Sequence, residues 1–315
     1  MTVTAFSHTT VLLHETVDLI DPQPGGLYCD ATLGGGGHAR AILERSGPDG
    51  RLIGFDHDPA ALAAARETLA ALSDRVTLHH ASFAELPELL ARDGLLGAVD
   101  GIVCDLGVSS PQLDQAERGF SLRQDGPLDM RMNPDAQTTA ADLIETLSEQ
   151  ELADVLYRFG EERKSRRVAR AIKAARARGE LETTLQLAAV VAAALPSRGP
   201  QRIHPATRTF QALRIAVNDE LGALAKLLER FIDVLRVGGR IAIISFHSLE
   251  DRAVKQRFAE LSRATDAPAG VPIRAADYDP QLEVLTRGAV KASDDEIERN
   301  PRARSARLRA ARRLR

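Results

Sequence analysis

Four consecutive glycines, Gly34 to Gly37, separate an apolar run at Leu27–Ala31 from a helical pattern that continues through Leu43, within YCDATLGGGGHARAIL. The start of a helix presents unpaired backbone N–H groups and a partial positive charge, and glycines let a ligand approach the chain closely. Asp56 ends the next apolar run, about twenty residues on, the distance at which a carboxylate accepts the hydroxyls of a ribose. This strand–loop–helix context predicts an adenosine-type site rather than a simple turn. Dinucleotides and S-adenosylmethionine (SAM) both fit it. Asp30, just ahead of the glycines and placed to pair with a ligand ammonium, favours SAM.

A second constellation, DLGVSSPQL (Asp105 to Leu113), follows the fourth apolar run. An exocyclic amine on a nucleobase donates its lone pair into the ring and is a poor nucleophile. Acceptors placed on its N–H protons localise that lone pair while an electrophilic methyl approaches in line. Asp105 and the hydroxyls of Ser109 and Ser110 are the acceptors available. The competing reading makes Asp105 a strand-end cap and the serines turn formers.

Short apolar runs must position these groups. Leu27–Ala31, Arg51–Phe55, Val76–His79 and Gly101–Asp105 read as strands alternating with helical segments, the signature of βαβ crossovers and a parallel sheet. Between Ser109 and about Arg208 only helix and loop signals occur. Ser148 with Glu151 and Thr183 with Gln186 are spaced as capping boxes, and a basic helix runs from about Arg163 to Gly179. Arg240–Phe246 resumes the strand pattern, with Ser248 and Asp251 expected to cap the helix after it. Residues 1–109 and 209–315 therefore form one α/β domain, interrupted by a helical block at 110–208.

Charge is unevenly placed along the 315 residues. The total is −3, but Arg299–Arg315 holds eight arginines and no acid, which leaves −11 for the remainder. Arg158–Arg178 carries nine basic residues against two glutamates. Basic patches on an acidic body are the footprint of a phosphate-rich partner. Two cysteines exclude a disulfide framework, the N-terminus lacks an export signal, and no apolar stretch is long enough to span a bilayer. The expectation is a soluble cytoplasmic protein. The spacing of His38, His204 and His247 matches no zinc pattern, so no metal is expected.

Several runs, in the same order along nearly the whole chain, resemble the bacterial 16S rRNA cytosine-N4 methyltransferase family, RsmH or MraW. They are HTTVLLHE (His8–Glu15), DATLGGGGH (Asp30–His38), DLGVSSPQLDQAERGFSLRQDGPLDMRM (Asp105–Met132), GEER (Gly160–Arg163), HPATRTFQALRI (His204–Ile215), GGRIAIISFHSLEDR (Gly238–Arg252) and NPRARSARLR (Asn300–Arg309). The resemblance implies a class I SAM-dependent methyltransferase, Rossmann-like with a mostly parallel sheet, carrying an inserted α-helical substrate-recognition domain. It implies methylation of N4 of a cytidine at the P site of the decoding centre, on 16S rRNA of the small ribosomal subunit. Its SAM contacts map onto Gly36, Gly37, His38, Asp56, Phe83, Asp105 and Gln112.

Other chemistries are disfavoured by position. Cytosine-C5 methylation needs a cysteine at the cleft, whereas Cys29 and Cys104 lie inside strands, and the five lysines lie away from the strand ends where a ribose 2′-O-methyltransferase needs one. A non-catalytic SAM- or nucleotide-binding regulator has no use for an acceptor at Asp105, and an NAD-dependent dehydrogenase would bind a nicotinamide cofactor instead of SAM. For the rRNA, Arg163, Arg166, Arg167 and Arg170 recur along one helical face. With Arg202, Arg208 and the arginine tail they are expected to grip phosphates.

Overall fold

Residues 10–196, 203–263 and 280–315 are described by the computed structural model. Aliphatic and β-branched runs become strands, and Ala/Leu-rich segments become helices between them. In chain order come α1 (Leu13–Ile20), β1 (Leu27–Asp30), α2 (Gly37–Arg45), β2 (Arg51–Asp56), α3 (Pro59–Thr68), β3 (Val76–His80), α4 (Leu86–Arg92) and β4 (Val99–Asp105). Six helices follow: α5 (Ser110–Asp114), α6 (Ala140–Thr146), α7 (Glu149–Gly160), α8 (Ser165–Ala177), α9 (Thr184–Ala194) and α10 (Thr207–Asn218). The chain closes with α11 (Glu220–Val234), β5 (Leu235–Ser245), α12 (Ser248–Leu261), β6 (Leu282–Val284), α13 (Asp294–Arg299) and β7 (Arg307–Arg313).

All seven strands form one sheet in the order β3-β2-β1-β4-β5-β7-β6. The five strands from β3 to β5 are mutually parallel, while β7 runs antiparallel to β5 and to β6. This is a doubly wound, Rossmann-like sheet whose chain order reverses between β1 and β4, the place where open α/β sheets bind ligands at their carboxyl edge. Two apolar layers cover its faces. One centres on Phe231, Phe258, Ile102 and Ile241, the other on Tyr28, Ile42, Leu62 and Val103. Among the described residues, no helix is long and apolar enough to cross a membrane.

The chain divides into two compact units, Met1–Gly107 with Leu221–Arg315, and Val108–Glu220. The second unit ends beyond the position 208 expected from sequence because α10 packs on α7: a Cβ on Gly160 would lie 2.5 Å from the Arg208 carbonyl, and Gln211 Nε2 donates to the Phe159 carbonyl at 2.9 Å. The helical unit has its own core, from Phe120 and Met130 through Leu156, Ile172 and Val191 to Leu213. Ser148 and Thr183 cap α7 and α9 in the reciprocal boxes read from the sequence.

The arginine tail contains a strand that the sequence reading did not expect. Its last part supplies β7, and Leu308, Ala310 and Ala311 there are buried. Arg309 makes a two-pronged ion pair with Asp251 at 2.7 and 3.1 Å, and Arg312 pairs with Glu283. Asp251 is thus an ion-pair partner and not the cap of α12. That cap is His247, whose Nδ1 accepts from Glu250 N–H while the Glu250 carboxylate accepts from His247 N–H. Arg309→Ala leaves Asp251 partly buried and unpaired, so unfolding stability is expected to fall by about 1–3 kcal/mol. A urea titration of the two chains measures it.

Candidate active site

The glycine loop is fixed by Asp56 from below. Gly34 N–H donates to Asp56 Oδ2 at 2.9 Å and Asp58 N–H to Oδ1 at 2.9 Å, so this carboxylate ties the end of β2 to the loop after β1. Desolvation raises Asp56, and those two N–H groups oppose the rise. Gly36 sits at φ +81°, where L side chains are strained, with a Cβ direction 3.4 Å from Ala65 Cα. A Cβ on Gly37 would fall 1.9 Å from Thr10 Oγ1. The first turn of α2 carries no side-chain cap, and His38 is buried within it. Phe83 lies half-buried in a short 3-10 turn after β3, which Ser82 and Glu85 close as a capping box.

Three adjacent strand ends carry buried oxygens that find no hydrogen-bond partner among the described residues: Asp30 Oδ2 on β1, Asp105 Oδ1 on β4 and Ser245 Oγ on β5. Buried polar atoms are almost always paired, so three orphans along one sheet edge mark a place built for something polar. Asp30 pairs in register with Val103, two residues before Asp105, so both carboxylates rise from the same face of the sheet. Asp105 N–H donates to Thr32 Oγ1 at 2.5 Å, and Thr32 N–H to Asp30 Oδ1 at 3.2 Å. Thr32 therefore braces the two strand ends against each other.

The electrostatics follow from this crowding. Asp30, 1% exposed, is pushed up to about 7, chiefly by desolvation and then by the charge of Asp56, against the N–H bonds from Thr32 and Ala39. Asp105 is driven well above the ordinary carboxylate range by desolvation, by Asp30 and by Glu250. Glu250 is itself buried, its Oε2 accepting Phe246 N–H at 2.9 Å and its Oε1 lying 3.2 Å from His247 Nε2. Asp30 and Asp105 therefore bind protons more readily than free carboxyls, and an arriving cation favours their release. The cysteines take no part: Cys29 and Cys104 are buried in the core, and desolvation raises both thiols.

In the helical unit, Ser109 is the N-cap of α5. Its Oγ accepts Gln112 N–H at 3.5 Å, and Gln112 Oε1 accepts Ser109 N–H at 2.9 Å. Ser110 and Gln112 are buried. Arg163, Arg166, Arg167, Arg170 and Arg208 are all exposed, but not alike. Arg170 pairs with Glu149 at 3.3 Å and Arg208 Nη1 donates to the Glu161 carbonyl at 3.4 Å, whereas Arg163, Arg166 and Arg167 have no acidic partner among the described residues. Arg202 lies outside the described residues.

The family model described as the MraW methylase family matches residues 5–314. The chain belongs to the MraW methylase family. Among its relatives, the ribosomal RNA small subunit methyltransferase H of Halorhodospira halophila is 55% identical over 312 residues, covering 99% of this chain and 95% of that protein. The proteins of the same name from Heliobacterium modesticaldum, 50% identical over 98% of this chain and 99% of its own length, and Syntrophotalea carbinolica, 52% identical over the full length of both, are similar. In this family member the fold is the class I methyltransferase arrangement, with the helical unit between β4 and β5.

Within that frame, sequence reasoning overlooked Thr32, Ser245 and Glu250. Thr32 and Ser245 are small hydroxyl residues at strand ends, indistinguishable by pattern from turn formers. Glu250 was readable, since a glutamate three residues after His247 completes a capping box, but histidine is a rare N-cap and Ser248 masked it.

Proposed function

We propose that this chain is a SAM-dependent methyltransferase that modifies N4 of a cytidine in the decoding centre, at the P site of 16S rRNA, within the small ribosomal subunit. The observation that carries the reading is the pair of buried, unsatisfied carboxylate oxygens of Asp30 and Asp105 at the β1–β4 switch of the sheet. The names of the relatives supply the substrate class. SAM fits the groups present: an ammonium for Asp30, a ribose diol for Asp56 at the end of β2, and, around Gly36, Gly37 and His38, the start of a helix that carries no side-chain cap. Phe83 offers an aromatic face for a purine, and Gln112 a further amide.

Bound there, SAM supplies a methyl group made electrophilic by its sulfonium. The protein's own part is positioning and proton acceptance. Asp105 takes an amino N–H of the target base at Oδ1, which draws the nitrogen lone pair out of conjugation and receives the proton as the amine is alkylated. Thr32 holds the Asp105 backbone at 2.5 Å, so the acceptor does not swing away. The hydroxyls of Ser109 and Ser110 are the further acceptors in this reading, and Ser109 also fixes the α5 turn. The inserted helical unit is the substrate-recognition domain, and Arg163, Arg166 and Arg167, which have no acidic partner among the described residues, hold rRNA phosphates with Arg170, Arg202 and Arg208 while the cytidine is turned out of its stack.

Mass spectrometry of small-subunit RNA from cells with and without this gene tests the reading. Deletion is expected to remove one N4-methylcytidine mark. The wild-type gene restores it and the Asp105→Ala gene does not. A mark that persists after deletion, or a missing mark on another atom, overturns the assignment.

A further inference from the structure

Cations in the helical unit fall into two groups. Along the later turns of α8, Arg170 pairs with Glu149, Lys173 Nζ donates to the carbonyls of Ile144 and Leu147 at 2.8 and 2.7 Å, and Arg176 pairs with Glu145 at 2.8 Å. These groups tie helices together. Arg163, Lys164, Arg166 and Arg167, at the opposite end, are exposed and have no acidic partner among the described residues.

Their location works against the helix they begin. Cations near a helix N-terminus oppose the macrodipole, and acids belong there. In the same unit α6, α7 and α9 begin with Thr139, Ser148 and Thr183 in capping boxes, and α7 adds Glu149 and Glu151. By contrast α8 begins at Lys164 with neither a side-chain cap nor an acid in its first turn, and α10 begins at Ala206 in the same way. The two starts lie at one pole, because Gly160 packs on the Arg208 backbone and Arg208 reaches the Glu161 carbonyl.

Aromatic surface lies at the same pole. Tyr157, one turn before the end of α7, is 61% exposed, and the Arg158 guanidinium stands 5.6 Å over the Phe159 ring. Of the acids nearby, Glu162 is turned inward, its Oε1 accepting Lys164 N–H at 2.8 Å, while Glu161 is exposed. Exposed guanidinium groups without an acidic partner among the described residues, at the same end of the unit as an exposed aromatic ring, form the composition that binds unstacked bases, since every base has a face to stack and each neighbouring phosphate a charge to meet. A duplex keeps its bases stacked and offers nothing to the ring.

We propose that this pole docks an unpaired stretch of RNA, with one base lying on Tyr157 and the flanking phosphates on Arg163, Lys164, Arg166 and Arg167. The proposal rests on rRNA being the substrate and narrows it to a single-stranded element of that RNA.

The chain contains no tryptophan and three tyrosines, Tyr28, Tyr157 and Tyr278, so the part of the tyrosine quenching that is lost in Tyr157→Phe reports on Tyr157. Full-length protein is titrated with a single-stranded oligouridylate of about 12 nucleotides, a duplex RNA of equal length and polyglutamate. The single strand is expected to bind best and to quench tyrosine emission. Tyr157→Phe keeps the affinity and loses most of the quenching, Tyr157→Ala weakens binding about tenfold, and Arg166→Glu with Arg167→Glu weakens it in a salt-dependent way. Equal binding by the Tyr157→Ala chain, preference for duplex or polyglutamate, or no binding by the wild type overturns the docking surface. If the methyl mark depends on this gene while Tyr157→Ala binds normally, only the docking surface falls. If quenching appears and the mark is independent of the gene, the docking surface stands and the methylation reading falls.

Discussion

Asp105→Ala is expected to leave a folded chain in which methyl transfer drops by about 10²–10⁴-fold, the range for losing a positioned proton acceptor. The fold survives because the side chain contributes no hydrogen bond to it: Oδ1 is buried without a partner, and it is the backbone N–H that bonds Thr32. Its raised proton affinity also gives the pH dependence a sign. Asp105 must be ionised to accept the amine proton, so activity rises with pH, and Glu250 contributes to how high that limb lies. Glu250→Gln removes one of the two neighbouring negative charges and is expected to move the acid limb to lower pH. Rate profiles of methyl incorporation into RNA measure both effects. Full turnover by the alanine variant, or an acid limb that moves upward in the glutamine variant, would contradict the role given to the carboxylate.

Asp30→Asn is expected to act in opposite directions on binding and on stability. Above pH 7 the ionised carboxylate pairs with the ligand ammonium. As pH falls through about 7 the group takes up a proton that the ligand must displace, and affinity declines. Asparagine removes the charge, so SAM binding weakens at pH 8 by at least about tenfold and loses this dependence. In the unliganded protein the sign reverses. A folded-state value near 7, against about 4 in an unfolded chain, means that native Asp30 contributes stability at low pH that is lost as pH rises through 7. At pH 8 the asparagine variant should therefore melt at least about 2 °C above the wild type. Calorimetric titration and thermal melts across pH 5.5–8.5 check the two halves (a range of roughly three pH units bracketing the shift). A variant that binds as tightly as the wild type removes Asp30 from the site.

Much of this was legible in the sequence because local rules and fold agreed. The four central strands were bounded by glycines and acids, and the boxes of α7 and α9 were set by Ser148 with Glu151 and Thr183 with Gln186. The strand within the arginine tail was missed because composition hid it. In Arg307–Arg313 the arginines flank Leu308, Ala310 and Ala311, which are buried in the apolar layers on the two faces of the sheet, and charge drew attention away from that pattern. The start of α12 shifted by one residue because His247 and Ser248 both suit an N-cap and only tertiary packing of Glu250 separates them. At the site, Asp30, Asp56 and Asp105 stood out as acids ending apolar runs. The brace through Thr32 depends on two strands 73 residues apart lying side by side, which no local pattern reveals.

The first turn of α12 links two distant parts of the sheet. Glu250 senses the charge of Asp105 at the carboxyl edge, and its neighbour Asp251 grips Arg309 on the antiparallel strand beyond β5. One helical turn thus sets a charge beside the reacting edge of β4 and, one residue on, the ion pair that fastens β7 against β5, two strands away.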